Sequence, residues 1–227
     1  MENIPWAYIT FEQLKGRCQD SSVLRRWVNS AFPNKPLLHQ HEPGSGRPVY
    51  LYPLVQYKVI SGVPMIYGIG DGVEEVREIF ETVNENCVML GKNNINSATL
   101  REGRTTIASC DLKKYSFIAP WLSFSSENYR VYKKVSHWAE KKTLLNRILV
   151  GNILSLAKGL GIFIEFNIEV KTKVDFAPVQ RPMHNLAEHG FLGSFLVNLE
   201  LPPLAGLGRH VSLGYGTIIK DGDEGWI

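Results

Sequence analysis

Apolar and polar residues alternate most strictly between Ile164 and Phe176. Ile164, Phe166, Ile168, Val170, Val174 and Phe176 share one parity; Glu165, Asn167, Glu169, Lys171, Lys173 and Asp175 share the other. Successive side chains of a strand point to opposite faces, so this pattern predicts a long antiparallel strand with one wet face. Gly190–Leu201 is its expected pairing partner. Upstream, Ser136–Lys158 carries Trp138, Leu145, Ile148, Leu149, Ile153 and Leu156 at helical spacing, and Gly159 and Gly161 end that helix. Lys114–Phe124 and Gly216–Lys220 read as two more strands of the same half.

The N-terminal half has a related order. Trp6–Phe11 alternates and is rich in β-formers. A helix follows, capped by Asp20, Ser21 or Ser22, with the stripe Val23, Leu24, Trp27, Val28 and Phe32. Val49–Ile60 and Val63–Ile69 form strands joined at Ser61-Gly62, and 33–48 reads as a long exposed loop. Val73, Val76, Ile79, Phe80 and Val83 mark a second helix, and Cys87–Ile95 a further strand. The order βαββαβ is ferredoxin-like. The expected fold is therefore α+β, two tandem ferredoxin-like domains at residues 1–97 and 98–227. In the second, a glycine-rich loop replaces much of the second helix.

Composition adds exclusions. The 44% hydrophobic and 21% charged content is that of a globular chain, with no apolar run of the roughly 18 residues that a membrane span requires. The acidic N-terminus lacks a secretory pattern, and Cys18, Cys87 and Cys110 form no CxxC pair. These features lead us to expect a cytoplasmic protein with reduced thiols and no membrane partner. Net charge is only +3, yet Arg101–Arg147 holds ten Lys/Arg against four Asp/Glu, either a solvated surface or a track for a polyanion.

Three stretches carry candidate chemistry. Gly68, Gly70 and Gly72 lie between a strand and a helix, but Asp71, Glu74 and Glu75 would repel phosphate there, leaving a capped structural turn. Gly206, Gly208, Gly214 and Gly216 lack such acids; Arg209 and His210 sit among them. This is either a tight turn or a loop whose amides and Arg209 hold an anion. Third, His39 and His41 are one residue apart, which in an extended segment projects both rings to one side. Two imidazoles can serve as general base and general acid, can hold a metal with Glu42, or can be plain surface residues. His137, His184 and His189 carry no comparable signal, and residues 220–225 read as a polar tail.

The stretch 206–218 resembles the C-terminal glycine-rich loop of the RAMP superfamily, RNA-binding ferredoxin-like proteins of CRISPR systems. Residues 50–76, with the upstream Leu38-His39-Gln40-His41, are similar to the N-terminal domain of CRISPR repeat-cleaving endoribonucleases of the archaeal-type b branch. The resemblance implies a metal-independent cut within CRISPR repeat RNA of the precursor transcript, releasing guide RNAs with 2′,3′-cyclic phosphate and 5′-hydroxyl ends. It assigns acid–base catalysis to His39 and His41, with no cofactor, and offers Tyr50 and Tyr52 for orienting the phosphate, although strand alternation equally allows both tyrosines a place in the core. Lys58 would meet charge at the scissile phosphate, and Gly206, Gly208, Arg209, His210, Gly214 and Gly216 would bind the RNA. Other CRISPR effector subunits and a second copy of the chain are admitted as partners. A non-catalytic RNA-binding subunit of a surveillance complex is the alternative. Residues 98–112 match no motif, and Leu213 stands where relatives often have a basic or polar residue.

Overall fold

The computed structural model describes residues 3–39, 51–90, 93–180 and 187–223. They fall into two units. One runs to Thr106 and takes in Ser212–Gly214; the other begins at Ile107 and resumes at Tyr215.

The first unit contains β1 (Ile4–Thr10), α1 (Ser21–Ala31), α2 (Pro36–His39), β2 (Val55–Ile60), β3 (Val63–Ile69), α3 (Gly72–Glu85), β4 (Val88–Leu90), β5 (Asn93–Ile95) and β6 (Thr99–Thr105). Asp20 caps α1, its Oδ1 accepting from the Ser22 amide at 2.8 Å. Four strands form an antiparallel sheet in the order β2-β3-β1-β6, so the last lies beside the first, as in a ferredoxin-like domain. Ala7, Ile9, Val55, Tyr57 and Ile66 face a core completed by Leu24 and Val28 of α1 and Val73, Val76, Ile79 and Val83 of α3. The residues of opposite parity, Tyr8, Gln56, Lys58, Met65 and Tyr67, are buried as well.

Several expectations are corrected here. Cys87–Ile95 does not supply the sheet's last strand. It folds into the separate hairpin β4–β5, with Val88 opposite Ile95. The last strand is β6, inside the stretch that matched no motif. Leu100 is its only apolar residue, so no alternation announces it; backbone pairing with β1 holds it instead. Gly103 permits that pairing, because a Cβ there would lie 2.3 Å from the Trp6 ring. The expected boundary at 97/98 falls before β6, whereas the units divide at Thr106/Ile107. Strand β2 starts at Val55 rather than Val49, after Pro53, which has no amide to donate. The 33–48 loop is not wholly exposed: α2 forms within it and buries Leu38 in the core. Asp71 precedes α3 without a side-chain cap bond, and Gly70 turns the chain at φ +57° instead.

The second unit contains β7 (Ser109–Trp121), α4 (Ser126–Lys134), α5 (Trp138–Gly159), β8 (Val170–Gln180), β9 (Ala187–Leu199) and β10 (Ile218–Lys220). Its sheet order, β10-β7-β9-β8, repeats the arrangement of the first unit. Asn146 of α5 accepts from both the amide and the hydroxyl of Thr172, tying helix to sheet. Between β9 and β10 a loop with one 3-10 turn (Val211–Leu213) stands where a second helix would be. Strand β8 is shorter than its alternation suggested, since Ile164–Glu169 lies outside it. Phe176 keeps 54% of its surface exposed, resting its edge on Phe191. Helix α4 was not expected; it has no buried residue, hence no apolar stripe to detect.

Candidate functional site

His39 ends the single helical turn α2, so the extended-segment premise for the His39/His41 pair does not hold at this residue. Its Nε2 lies 2.8 Å from the carbonyl oxygen of Phe32. A carbonyl only accepts, so Nε2 carries a proton, and in the neutral ring Nδ1 is the nitrogen with the lone pair. Arg25 Nη2 donates to the His39 carbonyl at 3.3 Å and the Tyr57 hydroxyl to that of Leu38 at 3.4 Å, fixing the end of α2. His41 and Tyr50 lie outside the described residues.

Tyr52 and Lys58 are brought together through a residue not anticipated, Gln56. Lys58 Nζ donates to Gln56 Oε1 at 2.7 Å, and Gln56 Nε2 donates to the Tyr52 hydroxyl at 2.8 Å and to the Pro53 carbonyl at 3.1 Å. The Pro53 carbonyl can only accept, so it takes the nitrogen end of the amide and leaves Oε1 facing Lys58; the chain therefore runs one way from Lys58 to Tyr52. Tyr52, Gln56 and Lys58 are all nearly inaccessible, at 8%, 0% and 1% exposure. Burial lowers the Lys58 ammonium from 10.5 to about 7. Its Nζ stands 5.4 Å above the ring of Tyr67, whose hydroxyl burial holds well above the usual phenol range. The sequence signal for Gln56 was its parity: residues 52, 56 and 58 form a polar row leading into an otherwise apolar strand.

The glycine loop is built by close backbone approach. Gly208 has φ +99°, and a Cβ there would lie 2.8 Å from both the Leu122 carbonyl oxygen and the Trp121 ring. Gly216 has φ +65°, and a Cβ would come within 1.9 Å of the Leu207 carbonyl oxygen. Gly206 bridges to Thr217. The amides of Leu207, Arg209 and Gly216 donate to the carbonyls of Gly216, Leu122 and Pro120 at 3.0, 3.0 and 2.9 Å. These amides are therefore committed within the protein rather than presented to an anion. Arg209 is exposed, one guanidinium nitrogen donating to the Phe124 carbonyl at 2.9 Å, which orients the rest of the fork. His210 holds φ +55° and packs edge-on to Tyr215 at 6.4 Å.

Gly214 belongs with the first unit. At φ +83°, a Cβ would sit 3.0 Å from the Tyr57 carbonyl oxygen and 3.1 Å from Lys58 Cα. The Ser21 hydroxyl at the start of α1 donates to the Leu213 carbonyl at 2.9 Å. Leu213 thus accepts a structural bond from the start of α1 through its carbonyl.

Two ferredoxin-like units in tandem, the second with a glycine-rich loop before its last strand, define the fold class. Residues 2–106 match the Cas6b N-terminal domain model and residues 108–221 the Cas6b C-terminal domain model. The chain belongs to the Cas6b family. It is similar to a solved Cas6b crystal structure at 30% identity and TM-score 0.85, with 96% of this chain and 100% of that one covered. A CRISPR RNA processing endoribonuclease Cas6b matches at 28% identity and TM-score 0.74 over the same shares. An uncharacterised protein of Methanocaldococcus jannaschii is 38% identical over 110 residues, 47% of this chain and 71% of that protein. Csf5, a type IV Cas6 crRNA endonuclease, shares the fold at 13% identity and TM-score 0.62.

Proposed function

We propose that this protein is an endoribonuclease that cuts CRISPR repeat RNA within precursor transcripts to release guide RNAs, without a metal ion. The observation that carries the proposal is the match of both halves of the chain to Cas6b domains, 2–106 and 108–221. The held tautomer of His39 supports the chemistry. His39 removes the 2′-hydroxyl proton at Nδ1, the 2′-oxygen attacks the adjacent phosphorus, and His41 protonates the departing 5′-oxygen. The P–O5′ bond breaks as the P–O2′ bond forms, giving a 2′,3′-cyclic phosphate and a 5′-hydroxyl. The nucleophile comes from the substrate, so no metal-activated water is required.

Tyr52, as the next donor beyond Gln56, orients the scissile phosphate, and Lys58 acts on Tyr52 through Gln56 from its buried position. Arg209 supplies the loop's charged contact to the RNA backbone, while Gly206, Gly208, Gly214 and Gly216 shape the loop and His210 lies beside the contact.

The test is incubation with a repeat RNA in EDTA, followed by mapping of the fragment ends. Cyclic phosphate and 5′-hydroxyl ends are expected. Loss of cleavage in chelator with restoration by zinc would transfer the histidines to a metal site. Tight repeat-RNA binding with no cleavage in any buffer would favour the non-catalytic subunit.

A further inference from the structure

The basic stretch Arg101–Arg147 divides in two once folded. Its first cations are engaged on the strands: Lys113 with Glu200, Lys114 with Asp221 at 2.8 Å, and Arg104 with the Asn3 carbonyl at 3.2 Å. Its second group, Arg130, Lys133, Lys134, Lys141, Lys142 and Arg147, lies on α4 and α5. Among the described residues, none of these six pairs with a carboxylate. Two cover aromatic rings instead, Lys133 at 5.3 Å from the Tyr129 centroid and Lys141 at 4.9 Å from that of Tyr132.

Those rings are held from beneath. Tyr129 and Tyr132 pack on Phe124 at 5.7 and 4.7 Å, and the Tyr129 hydroxyl meets His189 Nε2 at 2.6 Å. Helix α4 is thereby fixed although it buries nothing of its own. At the start of α5, Trp138 is 59% exposed. It is three residues from Lys141 and four from Lys142, so all three lie on one helix face. An exposed indole beside the exposed Lys142 and the Lys141 ammonium, which lies over Tyr132, suits an unpaired nucleotide strand, whose bases stack and whose phosphates meet the ammonium groups. Duplex RNA would use the charge but not the ring.

We propose that the α4–α5 surface is a second RNA-binding site, holding a single-stranded stretch of the transcript by stacking on Trp138 and by phosphate contacts to Lys133, Lys134, Lys141 and Lys142. This rests on the endoribonuclease function above and adds a binding surface apart from its cleavage residues.

The experiment measures affinity of the full chain for a repeat RNA and for a 15-nucleotide oligouridine across a salt series. Trp138→Ala should weaken oligouridine binding about tenfold. Lys133→Ser with Lys134→Ser should lower the slope of log Kd against log salt by about 1.4, the value for two phosphates on a single strand. Single-turnover cleavage at saturating repeat RNA should stay as in the unsubstituted protein. Unchanged affinity and slope in variants that still cleave overturn the second site and favour a protein partner for this face. If the unsubstituted protein neither binds nor cuts repeat RNA, the endoribonuclease function falls first, and this site with it.

Discussion

His39 donates its Nε2 proton to the carbonyl oxygen of Phe32 across 2.8 Å, and that bond fixes which nitrogen can accept a proton. A base held in this tautomer is ready before substrate arrives, whereas the acid must be charged to act. The two roles separate chemically. Replacing the 5′-bridging oxygen at the cut site by sulfur gives a leaving group that needs no proton. With ordinary RNA, His39→Ala and His41→Ala should each slow cleavage by about 10²- to 10⁴-fold. With the thio substrate, His41→Ala should recover most of its rate and His39→Ala should not. Recovery of His39→Ala instead would exchange the two assignments.

The glycines of the loop should show their effect in stability before function. Gly216→Ala places a methyl where the Leu207 carbonyl already sits and forces alanine to φ +65°. The cost should be at least about 2 kcal/mol, read as a lowered midpoint of thermal unfolding. Arg209 is exposed, so Arg209→Ala should leave the midpoint within a degree or two while weakening repeat-RNA binding. If Gly216→Ala unfolds at the original temperature, the loop is not built by that close approach.

Much of the fold was legible in the sequence because burial on one face writes a period into the chain. Helices α1 and α3 carried their stripes openly, as did α5 apart from Trp138, which was expected in its stripe and is exposed; the two ferredoxin-like orders followed, except for the last strand of the first. What escaped detection was held by other forces. Strand β6 is paired by its backbone and carries charges on an edge, and α4 rests its tyrosines on aromatic residues from other elements. In the site, His39, Tyr52 and Lys58 could be singled out by residue type. Gln56 could not, since a glutamine gains direction only from the amine and phenol on either side of it. The glycine loop was legible as unusual backbone. That the amides of Arg209 and Gly216 turn inward to Leu122 and Pro120 depends on neighbours distant in the chain.

The direction of the Lys58–Gln56–Tyr52 chain can be tested without removing it. A carboxylate in place of the amide accepts at both ends, so Gln56→Glu should keep the contact with Lys58 but turn the Tyr52 proton inward. The variant should cleave more slowly at saturating RNA, by about tenfold, and lose some thermal stability, because an oxygen replaces the donor to the Pro53 carbonyl. Gln56→Leu should also lose stability, by about 1–3 kcal/mol for the buried partners left behind. Unaltered cleavage by Gln56→Glu would reduce the chain to a structural network.

Lys58 also predicts the pH dependence of folding. Its native pKa, lowered by burial to about 7, lies below the 10.5 of the exposed side chain. Between those values the unfolded chain holds more protons than the folded one, so this group makes stability rise with pH, at most by about 1.4 kcal/mol per pH unit. Below pH 7 both states are charged and the contribution is flat. The Cys18 and Cys110 thiols act oppositely, since burial raises both above 9.0 and the unfolded chain loses those protons first. Comparing the original with Lys58→Met cancels the thiols, which the substitution leaves in place. The stability of the unsubstituted protein relative to that of the variant should climb steadily from pH 7 to 9 in denaturant titrations. Parallel curves over that range would mean that the amine stays charged in its buried position and that the chain to Tyr52 begins from an ammonium at every working pH.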